Sequence, residues 1–473
     1  MDDLLPILAP PALVFGLLLL LRGSLIVGCL LTLLSVCCFG YEFVHFDAGP
    51  LPLTVDRILL GLVIAMYVWQ RGLGRTDPKP LNRADICLLA FTGYLLVSML
   101  LSDWQGFPKG QVGPMWRWIG GYFTPLVLYW CAKQAVWDRR TARLVQASFA
   151  LFGIYLGVTA ILEITKQWSL VFPSYIADPK VGLHFGRARG PMVHGVSFGH
   201  WIGVCLLAAW VWGCGAQKWG KVAVGFLLPL YSAGVFFSYT RSVWMGTAAG
   251  LAIVGLLTLP SRARNIALGC GLMAGLVVGA TMMDKIVGFE REQSAADTAE
   301  SANMRVGFAY VSWLMFQDRP IFGFGFGRFP LDKLPYLDDR STDLFLDKLR
   351  PYVHHNTFLS ILTDTGLVGL ALFLAMMAYW GVNAWRIIRD ADTPSWAKHQ
   401  AIWLLGAIGV YAPQLLFHEL SYTPLDNSLV YFLAGTVSAL VPQQLAPQQQ
   451  AQANRAATIS PAAPQPQTLA PAQ

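Results

Sequence analysis

Residues 357–381 read TFLSILTDTGLVGLALFLAMMAYWG, an almost unbroken apolar run of 25 residues. At 1.5 Å rise per residue, a helix of roughly 20 such residues crosses the ~30 Å hydrocarbon layer of a bilayer. Working outward from it, comparable stretches occur at 9–21, 24–41, 57–70, 85–101, 116–131, 144–163, 194–214, 220–238, 242–259, 264–283, 400–418 and 424–442. The pattern predicts an all-α fold, a polytopic transmembrane helical bundle of about 12–13 spans, the lower count applying if the first two runs form a broken hairpin.

Composition points the same way. Of 473 residues, 55% are hydrophobic and only 13% charged, and the mean hydropathy is +0.50; a water-soluble domain carries about 25% charged residues. The net charge of +7 is spread over short connectors and makes no continuous basic face, so no nucleic-acid partner is expected. The eight cysteines, Cys29, Cys37, Cys38, Cys87, Cys131, Cys205, Cys214 and Cys270, fall in or beside apolar runs without a CxxC pair, and read as small buried hydrophobes. The first run follows an acidic start, Asp2-Asp3, with no clean cleavage site after it, and is read as retained.

Basic residues orient the bundle. Arg71, Arg75, Lys79 and Arg83 share a side with Lys133, Arg139, Arg140 and Arg143, then with Lys218 and Lys221, Arg262 and Arg264, and Arg386, Arg389 and Lys398. That side is expected to be cytoplasmic. The opposite side receives 42–56, 102–115, 164–193, 239–241, 284–356 and 419–423. The domain reading is a membrane-embedded domain over 1–441, a folded external cap within it at 284–356, and a tail at 442–473, rich in Gln, Ala and Pro, expected to be disordered in the cytoplasm. The localisation expected is a membrane crossed many times, with membrane lipids as constant partners.

The outer side collects cations where a positive-inside protein has least use for them. Arg187 and Arg189 lie in Phe185-Gly-Arg-Ala-Arg-Gly-Pro191, Arg241 in Tyr239-Thr-Arg-Ser-Val-Trp244, and Arg305 in Ser301-Ala-Asn-Met-Arg305. A planar guanidinium fork suits pyrophosphate oxygens and charge growing on a departing diphosphate. Two readings stay open for each arginine: phosphate binding, or anchoring to headgroups and pairing with loop acids such as Asp318. Arg117, Lys109 and Lys166 read as further external or near-external cations that steer an anionic substrate.

Tyr352-Val-His354-His355-Asn356 stands where the long loop re-enters the membrane. Imidazole, titrating near ~6.5, can take a proton from a sugar hydroxyl there. His418-Glu419 resembles half a zinc-protease motif, but Tyr422 stands where its second histidine belongs, and no metal is expected. Gly323-Phe-Gly-Phe-Gly327 lacks the Lys-Ser or Lys-Thr of a nucleotide loop and reads as a tight turn placing Arg328 against the membrane mouth. Glu163 and Asp284, at span ends, read as partners for local basic residues, and no acid sits convincingly at a span midpoint.

The run from Ser301 to Phe329, with Arg305, Asp318-Arg-Pro320 and Gly323–Gly327, followed by His355-Asn-Thr-Phe-Leu359, Thr365-Gly366 and Gly369-Leu370, resembles the external-loop signature of the O-antigen ligase and polymerase superfamily over roughly 180–380. The Arg187/Arg189 region resembles an earlier external segment of that family, although Gly190-Pro-Met-Val-His194-Gly195 departs from its Asn-Pro-Asn-like form; His194 then reads as a local substitute for a polar ligand.

The resemblance implies a helical, GT-C-like membrane glycosyltransferase of the bacterial inner membrane, its active site facing the periplasm, independent of metal and cofactor, whose donor is an undecaprenyl-pyrophosphate-linked glycan. It implies Arg241 and Arg305 as pyrophosphate ligands and His355 as the base, with His354, Arg187, Arg189 and Arg328 as further substrate contacts. The acceptor it implies is lipid A-core for a ligase, or a growing polysaccharide for a repeat-unit polymerase. A lipid-linked oligosaccharide flippase or other transporter is the alternative from another class, and it would place its cations along a central cavity.

Overall fold

A computed structural model describes residues 23–40, 43, 45–48, 51–105, 107, 111–266, 269, 273 and 295–441. The expected span at 9–21, most of that at 264–283, Lys109, Cys270, Asp284 and the tail 442–473 lie outside them. In chain order the helices are α1 Leu25–Cys38, α2 Val55–Gly72, α3 Arg83–Leu100, α4 Pro114–Trp118, α5 Thr124–Gln134, α6 Arg139–Ile164, α7 Gly195–Cys214, α8 Lys218–Phe237, α9 Arg241–Thr258, α10 Ala295–Asp318, α11 Thr357–Arg389, α12 Ser395–Phe417 and α13 Pro424–Ser438.

Among the described residues seven helices, α3, α6, α7, α8, α9, α11 and α12, are long and apolar enough to cross a membrane. The protein is thus a polytopic all-α membrane bundle, but the expected count of 12–13 spans is corrected to seven candidates among these residues. The reasons are local. α1 and α13 form where spans were expected but are only 14 and 15 residues long. α2 carries Asp56, Arg57 and Arg71 at its ends.

The run at 116–131 is broken by a π turn at Ile119–Phe123 between α4 and α5. Pro125 has no N–H to return to the carbonyl of Gly121, four residues earlier. The Asn427 side-chain amide donates to that carbonyl instead, at 2.9 Å. One departure from helix is an antiparallel hairpin, β1 His45–Ala48 with β2 Leu51–Thr54, inside the expected connector 42–56.

α7 lies at the centre, 89% buried over its apolar window, and packs on α6, α8, α9 and α12; α8 is 22% buried and faces outward. α9 and α12 approach most closely at Gly246 and Gly250, where a Cβ on Gly246 would stand 2.3 Å from the Val410 carbonyl oxygen. Small residues of this kind let membrane helices pack backbone to backbone. The connectors with the arginine excess share one end. There Arg143, near the start of α6, donates to the Gly215 carbonyl beyond α7, and His399, near the start of α12, feels the Arg143 charge.

The other end carries the cap. α10 presents Phe308, Val311 and Met315 on one face, and these pack with Phe329, Leu337, Leu346 and Leu349 into a core separate from that of the bundle. The cap is seated by backbone pairing. α11 breaks its helical dihedrals at Gly366 (φ +64°), and the groups this frees bond to the cap: Leu367 and Val368 N–H donate to the Pro320 and Ile321 carbonyls, while Phe324 and Gly325 N–H donate to the Thr363 and Asp364 carbonyls. This is the structural use of the glycine run. A Cβ on Gly366 would stand 2.3 Å from the Ile321 carbonyl oxygen. Gly366→Ala therefore costs at least about 1–2 kcal/mol, read as a lower unfolding midpoint in detergent and faster proteolysis of 320–356.

Candidate active site

Helix ends meet beneath the cap: α7 starts at Gly195, α9 at Arg241 and α11 at Thr357, and α12 stops at Phe417. The segment after α12 ties them together. The Asn356 side chain caps α11 by accepting from Leu359 N–H and donates to the Leu416 carbonyl at 2.9 Å. Thr357 Oγ1 donates to the His418 carbonyl at 2.8 Å and accepts from Leu420 N–H at 3.0 Å.

Onto this hub the expected residues project. Arg305, exposed on α10, lays its guanidinium over the Phe417 ring at 5.7 Å. His355 is half-buried, its ring edge-on to Phe308 at 5.4 Å. Burial, and then the Arg305 charge, hold its imidazole below the usual histidine range. Arg241 is the exposed first residue of α9, whose N-cap Thr240 makes no side-chain bond to the first turn. Its neighbour Ser242 meets His418 Nε2 at 3.3 Å.

His418 is the centre of this group. Burial first, then His194, Arg305, His355 and His184, push it down to about 3. His194, at the N-cap of α7, accepts from Ser197 N–H at its Nδ1 and lies 5.0 Å from the His184 ring. Burial lowers His194, with Asp426 opposing and Arg187 adding to the effect. The structure therefore brings Arg305, His355, His194 and His184 around His418, with Arg241 next in the chain to its contact Ser242 and Arg187 acting on His194. The loop that delivers Arg187 is conformationally constrained: His184 and Val193 hold positive φ (64° and 46°), as does Tyr239 (45°) just before Arg241. For a β-branched residue such as Val193 this is a rare state, of the kind that clusters at functional sites.

Other expected contacts are differently employed. Arg189 is fully buried, donating to the Ile176, Asp178 and Val181 carbonyls, while its own N–H and that of Gly190 donate to the Glu163 carboxylate. Glu163 thus partners a local arginine through backbone and not through the guanidinium. His354 is buried, stacked on Phe329 at 3.5 Å, with Nε2 at 2.9 Å from Thr363 Oγ1; burial, then Arg117, Lys333 and His355, keep it well below the usual range. Arg328 forks onto Asp332 at 2.7 and 2.8 Å.

Arg117 corrects its reading as an external or near-external cation. Only 3% exposed, it donates to Ser421 Oγ (2.6 Å), Ser360 Oγ (2.8 Å), Asp364 (3.0 Å) and Glu419 (3.3 Å). Asp364 also accepts from Gly327 and Phe329 N–H, so one carboxylate joins α4, α11 and the cap. Sequence reasoning missed Asp364, Glu419 and His418 as members of a site. A signal existed for His418 and Glu419: they close a membrane helix on the side that singled out Arg241.

Among the described residues no group of three or more His, Cys, Asp or Glu side chains is arranged to hold a metal ion. A comparison with curated proteins found no match. A family model described as O-antigen ligase matches residues 224–374, from within α8 through α9 and the cap into α11, a stretch that holds Arg241, Arg305, Arg328, His354 and His355 and leaves out Arg187 and Arg189. On a many-pass helical bundle with this cluster at one end, that match makes the stretch similar to the O-antigen ligase family and supports no narrower assignment.

Proposed function

We propose that the protein transfers a glycan from undecaprenyl pyrophosphate to an acceptor hydroxyl at the periplasmic face, as an O-antigen ligase acting on lipid A-core. The observation that supports this is the placing of Arg305 and His355 around His418, with Arg241 next in the chain to its contact Ser242, at the capped end of a membrane bundle. The donor lies with its tail in the bilayer and its diphosphate between Arg241, at the open N-terminus of α9, and Arg305. An acceptor hydroxyl gives its proton to neutral His355 as its oxygen attacks the anomeric carbon. The bond from that carbon to the phosphate oxygen breaks, and its electron pair leaves on undecaprenyl pyrophosphate, whose charge the two guanidinium groups hold. The donor is already activated, so no nucleotide is consumed; direct displacement inverts the anomeric centre, and a retained linkage in the product would exclude it.

A base must be neutral to act. Since burial and Arg305 depress His355, transfer stays at full rate on acidification until below about pH 6.5, the ordinary imidazole value. Arg305→Gln removes a charge that opposes protonation, so the acid limb of its residual activity moves to higher pH. The profile of kcat/KM against pH checks both. A wild-type limb above 6.5, or no shift in the variant, would remove His355 from the role of base.

A repeat-unit polymerase shares donor and chemistry and differs in its acceptor. Purified protein in vesicles, given lipid-linked glycan with lipid A-core or with more lipid-linked repeat, separates the readings. Glycan on lipid A-core is the expected result; a ladder without that acceptor identifies a polymerase. Donor moved between leaflets with its diphosphate bond intact identifies a flippase and overturns the proposal.

A further inference from the structure

We infer that His418 is a substrate-binding residue, its Nδ1 taking a hydrogen bond from a hydroxyl or amide N–H of the sugar attached to the donor diphosphate. This deepens the proposed function and rests on it.

The argument begins with what holds the ring. Ser242 Oγ lies 3.3 Å from His418 Nε2 and 2.8 Å from Gln414 Oε1. With Gln414 presenting its amide oxygen, the single proton of Ser242 goes to Gln414. The lone pair left on the serine then requires Nε2 of His418 to carry the ring proton. The backbone is fixed as well: His418 N–H donates to the Gln414 carbonyl at 2.8 Å, and its own carbonyl accepts from Thr357. The position of this imidazole is set before any substrate arrives, and with Gln414 in that orientation so is its tautomer.

That leaves Nδ1 as an acceptor. Among the described residues it has no hydrogen-bond partner, and His418 is not fully enclosed. Around the ring stand groups from several elements: Arg305 on α10, His355 before α11, His194 at the start of α7 and His184 in the loop before it. Burial and these neighbours keep the ring neutral across the physiological range, so it does not become one more cation for phosphate.

A neutral imidazole nitrogen bearing a lone pair does not bind phosphate oxygens, which are acceptors themselves. It selects a donor. Ser242 sits beside Arg241, and Phe417 lies under Arg305. The group that Nδ1 meets is therefore within a residue's reach of the diphosphate, and on a glycan donor this is the first sugar. Its hydroxyl or amide N–H groups are the complementary chemistry. The consequence is discrimination, because a site built to bond a substrate donor group rejects a sugar that lacks it.

The test exploits the two ring nitrogens. In His418→Asn a polar amide atom stands near the place of Nδ1 and the contact to Ser242 is lost; in His418→Gln the polar group reaches toward Ser242 and Nδ1 is lost. Both variants, with His418→Ala, are assayed for transfer in vesicles with lipid-linked glycan, and by thermal unfolding in detergent to establish folding. The expected result is a donor KM raised about tenfold in His418→Gln and His418→Ala, with His418→Asn within about threefold of wild type and the acceptor KM unchanged in all. A wild-type donor KM in His418→Gln overturns the assignment and leaves the ring as a prop for Ser242. An equal rise in His418→Asn and His418→Gln overturns it too, since the effect then follows loss of the ring. Failure of the functional reading looks different: the wild type itself then transfers no glycan from the lipid-linked donor, and the role of His418 falls with it.

Discussion

Arg305→Ala and Arg241→Ala each lower glycan transfer by about 10²–10³-fold while leaving the bundle folded. Both side chains are exposed on helices and belong to neither apolar core, so their loss opens no cavity. What disappears is charge placed before the reaction where the leaving diphosphate gains it, the contribution that counts most in a site partly screened from water. Lysine at 305 recovers only part of the rate, because an ammonium is a point charge where a guanidinium forks onto two oxygens. Initial rates in vesicles, with an unchanged elution profile in detergent, are the measurement. A wild-type rate for Arg305→Ala would remove diphosphate binding from this cluster.

The second large effect is on stability. Arg117→Met strands the carboxylates of Asp364 and Glu419 away from water, and breaking a buried pair in this way costs about 3–5 kcal/mol. The same Asp364 carboxylate accepts the Gly327 and Phe329 N–H groups, so releasing it from Arg117 disturbs the seat of the cap first. The expected observations are a much lower unfolding midpoint and early proteolysis within the cap. Adding Asp364→Asn removes one stranded charge and restores part of the loss, a coupling that two independent sites would not show. Arg305→Ala and Arg117→Met thus separate a residue that meets substrate from one that holds the structure: the first loses rate at constant stability, and the second loses both.

The contrast shows what a linear sequence reveals. Helix class, the positions of all seven candidate spans and the side of the bundle that collects Arg241, Arg305 and His355 follow from hydropathy and basic residues, because those signals are local. The span count does not, since a Pro125 whose missing bond is replaced from α13 turns a continuous apolar run into two helices around a π turn. Arg117, Arg187 and Arg189 look alike in sequence. Their environments differ only through residues far along the chain: 247 and 302 positions separate Arg117 from Asp364 and Glu419. Arg189 is held by carbonyls of its own loop, which side-chain identities do not encode. In the sequence His418 resembles half a metal motif, which hides its place in the site. Its importance comes from where α12 stops.

The break at Gly366 also bears on how a bulky glycan gets in. A lid tethered at its two ends can swing; this one is grafted along its middle onto a membrane helix, each partner completing the other's main-chain bonding. Prising them apart would leave those amides and carbonyls unpaired, so the two are held to move together. Because His355 stands just before that same helix, any tilt of the cap and helix carries the imidazole with it. On the proposed function, entry of the glycan and proton transfer at His355 are then coupled through one backbone graft.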